Sequence, residues 1–296
     1  GEMKSHQSVL DPLLTALAPI VWGSTYLVTT EFLPPDRPLL ASVLRALPAG
    51  LILLAIVRHL PPPGWWWRAV VLGVLNIGAF YYFLFVAAYH LPGGVAALVM
   101  SFQPLIVLVL GVSLLRQPIQ GMQILACLLG ALGVALLVLK PAAQLDGIGI
   151  AAGLAGAASM ASGIVLTKRW GRPAGVSVLE FTGWQLTVGG LVLVPVTLGL
   201  EGLPPTLTTV NWLGFAYLSQ SGALIAYVIW FRGIERLPAL TVSFLAFASP
   251  LSATALGFLY LGQTLSPLQI VGAITILTAV FLSQPRIRLI GRPQES

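Results

Sequence analysis

Residues 91–117 read LPGGVAALVMSFQPLIVLVLGVSLLRQ, and residues 237–263 read LPALTVSFLAFASPLSATALGFLYLGQ. A constant shift of 146 carries Leu91-Pro92 onto Leu237-Pro238, Pro104-Leu105 onto Pro250-Leu251 and Leu110-Gly111 onto Leu256-Gly257. The same shift carries Gln117 onto Gln263 and Gln123-Ile124 onto Gln269-Ile270, so 91–138 and 237–284 align without a gap. It also reaches back to Tyr81/Tyr227 and Phe85/Phe231. Matches of Leu alone are cheap in an apolar chain. Pro, Gly, Gln and Tyr keeping one offset are not, and they mark an internal duplication.

Composition sets the duplicated unit in a bilayer. Hydrophobic residues make up 57% of the chain and charged ones 8%, against about 25% charged in an ordinary soluble domain. The formal charge of +6 sits in short loops, which is the chemistry of membrane orientation and not of nucleic-acid binding. Cys127 is the single cysteine and lies in an apolar run, so neither a disulfide framework nor a cysteine metal cluster is available. The polar N-terminus reads as free of a cleavable signal peptide. A repeat inside a membrane chain is the sequence mark of a secondary transporter.

Ten spans are predicted, at about 12–31, 38–57, 69–89, 92–115, 119–139, 147–167, 176–199, 209–233, 238–261 and 267–284, each near the ~20 residues that cross the hydrocarbon as a helix. Pro92, Pro238 and Pro267 fall at helix starts, where a missing N–H costs nothing. Trp65-Trp66-Trp67 beside Arg68 reads as an interfacial anchor. With the N-terminus inside, cytoplasmic segments hold twelve Lys and Arg and external loops hold two, Arg37 and Lys140. That bias predicts both termini in the cytoplasm, with tails at 1–11 and 285–296. The copied segments are five spans apart. Five is odd, so the second copy is expected upside down relative to the first, as two inverted five-helix repeats at 12–139 and 147–284 in an all-α integral membrane fold.

The chain resembles the ten-helix branch of the drug/metabolite transporter superfamily, built from two EamA-type five-helix domains. The residues that carry the resemblance are Trp22-Gly23-Ser24, Arg45 and the two Pro-then-Gly segments quoted above. Within that superfamily it looks most like the YddG-type exporters of aromatic and other amino acids. Family members usually carry Glu where this chain has Gln117 and Gln263. The resemblance implies a central cavity lined mainly by helices 1, 3, 4, 6, 8 and 9, in the cytoplasmic (inner) membrane.

Polar or aromatic residues in mid-span are the candidates for substrate contact: Trp22, Tyr26, Asn76, Tyr81, Tyr82, Gln103, Met160, Gln220, Tyr227 and Ser249. Trp184 and Gln185 also lie deep in a span but on a helix outside that set. For each, interhelical packing is the plainer alternative, because Ser, Thr and Gln often join helices in lipid. Asn76, Gln103 and Gln220 carry more hydrogen-bonding groups than such joining requires. Pro104 and Pro250 each predict a kink and a freed carbonyl about one turn earlier, at Met100 or Ala246. Arg45 is the one charge within the hydrocarbon, open to two readings: a structural anchor, or a contact for a substrate carboxylate or a gate.

No Asp, Glu or His falls in mid-span and no nucleotide-binding motif is present, so neither a buried proton relay nor ATP is expected to drive the cycle. An uncoupled facilitator working by alternating access follows, with no cofactor and no metal. A cavity without fixed charge is expected, suited to uncharged or zwitterionic solutes such as apolar amino acids. Export of lipophilic drugs or other metabolites, with proton coupling, is the alternative. A membrane enzyme would need a nucleophile–base pair or metal ligands in the spans. Small solutes and lipid are the expected partners, nucleic acid is not, and the chain is expected as a monomer or homodimer.

Overall fold

The computed structural model describes residues 2–91, 95–139 and 146–283, with the side chains of 2–8, Tyr26 and Val95 excepted. Pro92, Lys140 and the tail 285–296 with Arg286, Arg288 and Arg292 lie outside the described residues. Those residues hold helices and no strand. Among the described residues nine helices are long and apolar enough to cross a membrane: α1 (Val9–Phe32), α2 (Pro38–Val57), α3 (Trp66–His90), α4 (Ala96–Leu114), α5 (Gly121–Val138), α6 (Gly147–Trp170), α7 (Val178–Leu200), α8 (Thr209–Arg236) and α9 (Ala239–Tyr260). The tenth, α10 (Pro267–Ser283), is described over 17 residues. Helix α1 continues outward to Glu2, so residues 2–11 are helical where a tail was expected. The helix α3 begins at Trp66, which draws two of the three tryptophans into the helix itself.

Exposure runs opposite to that of a soluble protein. Leu128, Leu132, Leu277 and Phe281 of α5 and α10 face outward, Phe281 at 78% exposed. Such a surface is stable only against hydrocarbon. This is a multi-pass membrane protein.

Packing repeats under a shift of five helices. Helix α3 lies on α6 as α8 lies on α1, α4 on α6 as α9 on α1, and α7 on α3 as α2 on α8. Helices α2 and α7 pack on each other, and so do α5 and α10. Small residues permit the close approach: a Cβ on Gly133 would sit 2.9 Å from the Gly272 carbonyl, and one on Gly272 would sit 2.8 Å from the Gly133 carbonyl.

Several residues that keep the 146 offset turn out to be local fasteners. Gln123 and Gln269 return their side chains to the backbone N–H of Gln120 and Ser266, both at 2.9 Å, capping α5 and α10. Gln117 and Gln263 close the turns after α4 and α9 through backbone N–H bonds to Gly111 and Gly257, at 3.1 and 3.2 Å. Each follows a left-handed residue, Arg116 or Gly262.

The charged residues gather at the helix ends. Asp11 meets Arg232 at 3.0 Å and Arg236 at 3.9 Å, Glu235 meets Arg172, and Lys168 donates to the carbonyls of Glu235 and Leu237. Arg68 lies over the rings of Trp65, Trp67 and Trp170 at 5.3–5.7 Å. At other ends, Glu201 caps the N-terminus of α2 through Leu39 and Leu40 N–H, where a helix dipole favours a carboxylate.

Candidate functional site

Among the described residues five helices are interrupted: α1 at Ser24, and four others nearer their middles in two pairs. Five residues of α3, Val74–Gly78, and six of α8, Gln220–Ile225, wind as π-helix. Helix α4 breaks at Ser101-Phe102, and α9 at Ala246-Phe247. Pro104 and Pro250 sit in the first turn after each break, where no helical partner is lost. The expectation of a free carbonyl is corrected at Ala246, whose oxygen accepts the Ser249 N–H at 3.1 Å. The turn that precedes the proline re-pairs what the proline releases.

The π segments expose backbone carbonyls to neighbouring helices. Leu75 O accepts from Ser159 Oγ at 2.6 Å. Gly222 O accepts two donors at once, Trp22 Nε1 at 2.9 Å and an Arg45 guanidinium nitrogen at 3.0 Å.

Between these interruptions lies a cavity of about 270 Å³. Trp22, Asn76, Tyr81, Gln103, Pro104, Met160, Tyr227, Ser249, Pro250 and Arg45 all line it. Tyr82 and Gln220 do not; Gln220 is exposed on the outside of α8. The Tyr26 side chain is outside the described residues. Trp184 and Gln185 stay away from the cavity, Trp184 donating to His59 O at 2.9 Å. Phe80, Leu84, Val134 and Phe247 complete much of the apolar wall. They were missed because one more Phe, Leu or Val in an apolar span carries no signal.

Aromatic rings form one side. Trp22 lies 5.0 Å from the Tyr227 ring and 5.1 Å from the Trp230 ring, in tilted and edge-on contacts. Tyr227 donates its hydroxyl proton to the Tyr81 hydroxyl at 3.0 Å, joining residues one repeat offset apart. The Arg45 guanidinium lies 5.6 Å over the Tyr81 ring and donates to Thr25 Oγ1 at 3.3 Å. No carboxylate pairs with Arg45 among the described residues. The cavity therefore carries a fixed positive charge, which corrects the expectation of an uncharged one. Position along α2 gave the depth of Arg45, and helix packing alone decided that it faces inward.

The polar groups divide in two. Asn76 Nδ2 donates to Gln185 Oε1 at 2.7 Å and reaches Thr167 Oγ1 at 3.4 Å, so much of its capacity joins helices. Gln103 and Ser243 line the cavity at 5% and 1% exposure, and Gln103 Nε2 and Ser243 Oγ have no hydrogen-bond partner among the described residues. No Asp, Glu or His is among the lining residues.

The sequence matches the model of the EamA-like transporter family over residues 12–139 and 147–283. It is 53% identical over 267 residues to Protein PecM of Dickeya dadantii, covering 90% of each chain. It is 26% identical to a probable amino-acid metabolite efflux pump of Salmonella typhimurium, over 92% of this chain and 94% of that one. A solved crystal structure superposes with a TM-score of 0.79 at 20% identity, over 92% of this chain and 97% of the other, a likeness of fold. With both halves matched and a relative this similar along nearly its whole length, the chain belongs to the EamA-like transporter family.

Proposed function

We propose that the protein exports amino acids with aromatic or other apolar side chains, and related small metabolites, across the inner (cytoplasmic) membrane. It does so by alternating access between two inverted five-helix repeats, 12–139 and 147–284, with both termini in the cytoplasm. The observation that carries this reading is the meeting of four paired helix interruptions around one largely apolar cavity. Interrupted helices at a repeat interface are where transporters of this kind bind solute. Packing that recurs under a five-helix shift supports the repeat, and the printed name of the Salmonella relative supports the substrate class.

Trp22, Tyr81 and Tyr227 supply an apolar wall, and Gln103 and Ser249 supply polar contacts to the ends of the solute. With no acid or imidazole in the wall, the cycle runs as an uncoupled facilitator. Purified protein in liposomes should exchange labelled phenylalanine and methionine for internal unlabelled solute with no pH gradient. Exchange of lipophilic drugs alone would replace this substrate class. Accumulation above equilibrium under a proton gradient alone would replace the facilitator.

A further inference from the structure

Arg45 differs from the cations in the helix-end clusters and lies deeper in its helix than Arg37, Arg58 and Arg169, which bond carbonyls at helix ends. Arg232, Arg236 and Arg172 have carboxylates within ion-pair distance, and Arg68 has three indole faces. Arg45 has a carbonyl, a hydroxyl and one phenol face, and its Nε, like that of Arg68, is buried without a partner among the described residues. A guanidinium deep in a span, with no counter-charge, stands in the environment that most favours binding an anion. Two further residues lining the same cavity, Gln103 and Ser243, each hold a buried atom, Nε2 and Oγ, without a partner among the described residues. Both can donate a hydrogen bond. An α-ammonium entering this cavity meets no Asp or Glu among the lining residues, and the Tyr81 ring already carries Arg45.

We propose that the cavity selects monoanions: an apolar or aromatic body bearing one carboxylate and a neutral acceptor, as in an N-acylated amino acid. The carboxylate sits on Arg45, the body lies against Trp22, Tyr81 and Tyr227, and the acyl carbonyl accepts from Gln103. The free zwitterion is the poorer solute because its ammonium must shed water beside a cation. This rests on the transporter reading and moves the preferred solute from the free amino acid to the related N-acylated metabolite.

The test is counterflow into liposomes holding the purified full-length protein, with three matched solutes: N-acetylphenylalanine, phenylalanine and N-acetylphenylalaninamide. A hydrogen bond to a charged group that is made or lost changes rates on the order of tenfold or more, so the first should outrun each of the others by about that factor. Arg45→Lys should keep the preference, and Arg45→Gln should erase it. The three-solute ratio in the unmutated protein decides the matter even if a variant fails to fold. Phenylalanine or the amide moving as fast as N-acetylphenylalanine would overturn the anion preference and leave a transporter of apolar metabolites standing. A folded Arg45→Gln protein with an unchanged ratio would overturn it too. Movement of none of the three would overturn both this inference and the reading beneath it.

Discussion

Two sets of buried polar groups lie in the same bundle and behave differently. Around Asn76, an amide, a second amide from Gln185 and the Thr167 hydroxyl hydrogen-bond across α3, α7 and α6. Around the cavity, Arg45, Gln103 and Ser243 each keep an atom without a partner. Both sets cost desolvation; the first recovers much of it within the protein, with Gln185 Nε2 the exception, and the second recovers less. Partnered groups hold helices together. Unpartnered atoms on residues that line a cavity keep hydrogen-bonding capacity that a solute can use once small side-chain shifts uncover them, and leaving them so is the price of binding.

Substitutions can break this contrast, and the largest effect is expected where the scaffold has no room. A Cβ on Gly163 would overlap the Asn76 amide oxygen and push the amide aside, pulling its Nδ2 from Gln185 Oε1. Gly163→Ala should therefore cost about 2–4 kcal/mol from overpacking and a lost buried hydrogen bond. Thermal unfolding in detergent reads this out, and an unshifted midpoint would mean the Asn76 network does not hold the helices. Arg45→Met should do the reverse. It removes a charge with no counter-ion, so stability should hold or rise, while exchange of carboxylate-bearing solutes falls about tenfold or more. Equal loss of stability and transport would make Arg45 an anchor.

Smaller effects separate the helix ends from the cavity. Asp11→Asn leaves Arg232 and Arg236 without their carboxylate partner at a site where Asp11 is buried and the two arginines are partly exposed. It should cost about 1–2 kcal/mol and leave the ratio of solutes transported unchanged. Tyr227→Phe removes the donor to Tyr81, worth about 0.5–1.5 kcal/mol. Its exchange rates should change severalfold at most, with larger apolar solutes affected no more than smaller ones, because the ring wall remains.

Much of the architecture was legible in the sequence, and the candidate site was legible in part. Of the ten residues singled out for substrate contact, Tyr82 and Gln220 lie away from the cavity, and the Tyr26 side chain is undescribed. Gln103 and Gln220 look alike on paper, one mid-span glutamine each. Gln103 is buried against the cavity and Gln220 is exposed outside. The π segments were not foreseen, because an i→i+5 ladder depends on side chains such as Ser159 and Trp22 arriving from other helices.

Membrane residence, the run of apolar helices and the duplication were determined by the sequence itself. Transfer of a long apolar run into hydrocarbon is a local free energy, and a repeat offset needs no structure to be seen. Which way each helix faces was decided by tertiary structure alone. In water an amphipathic period separates core from surface, but in lipid both faces of a span are apolar and that period fades. The inward turn of Arg45 and the exposure of Gln220 therefore depend on which helices pack against which. The cavity's charge was decided there too.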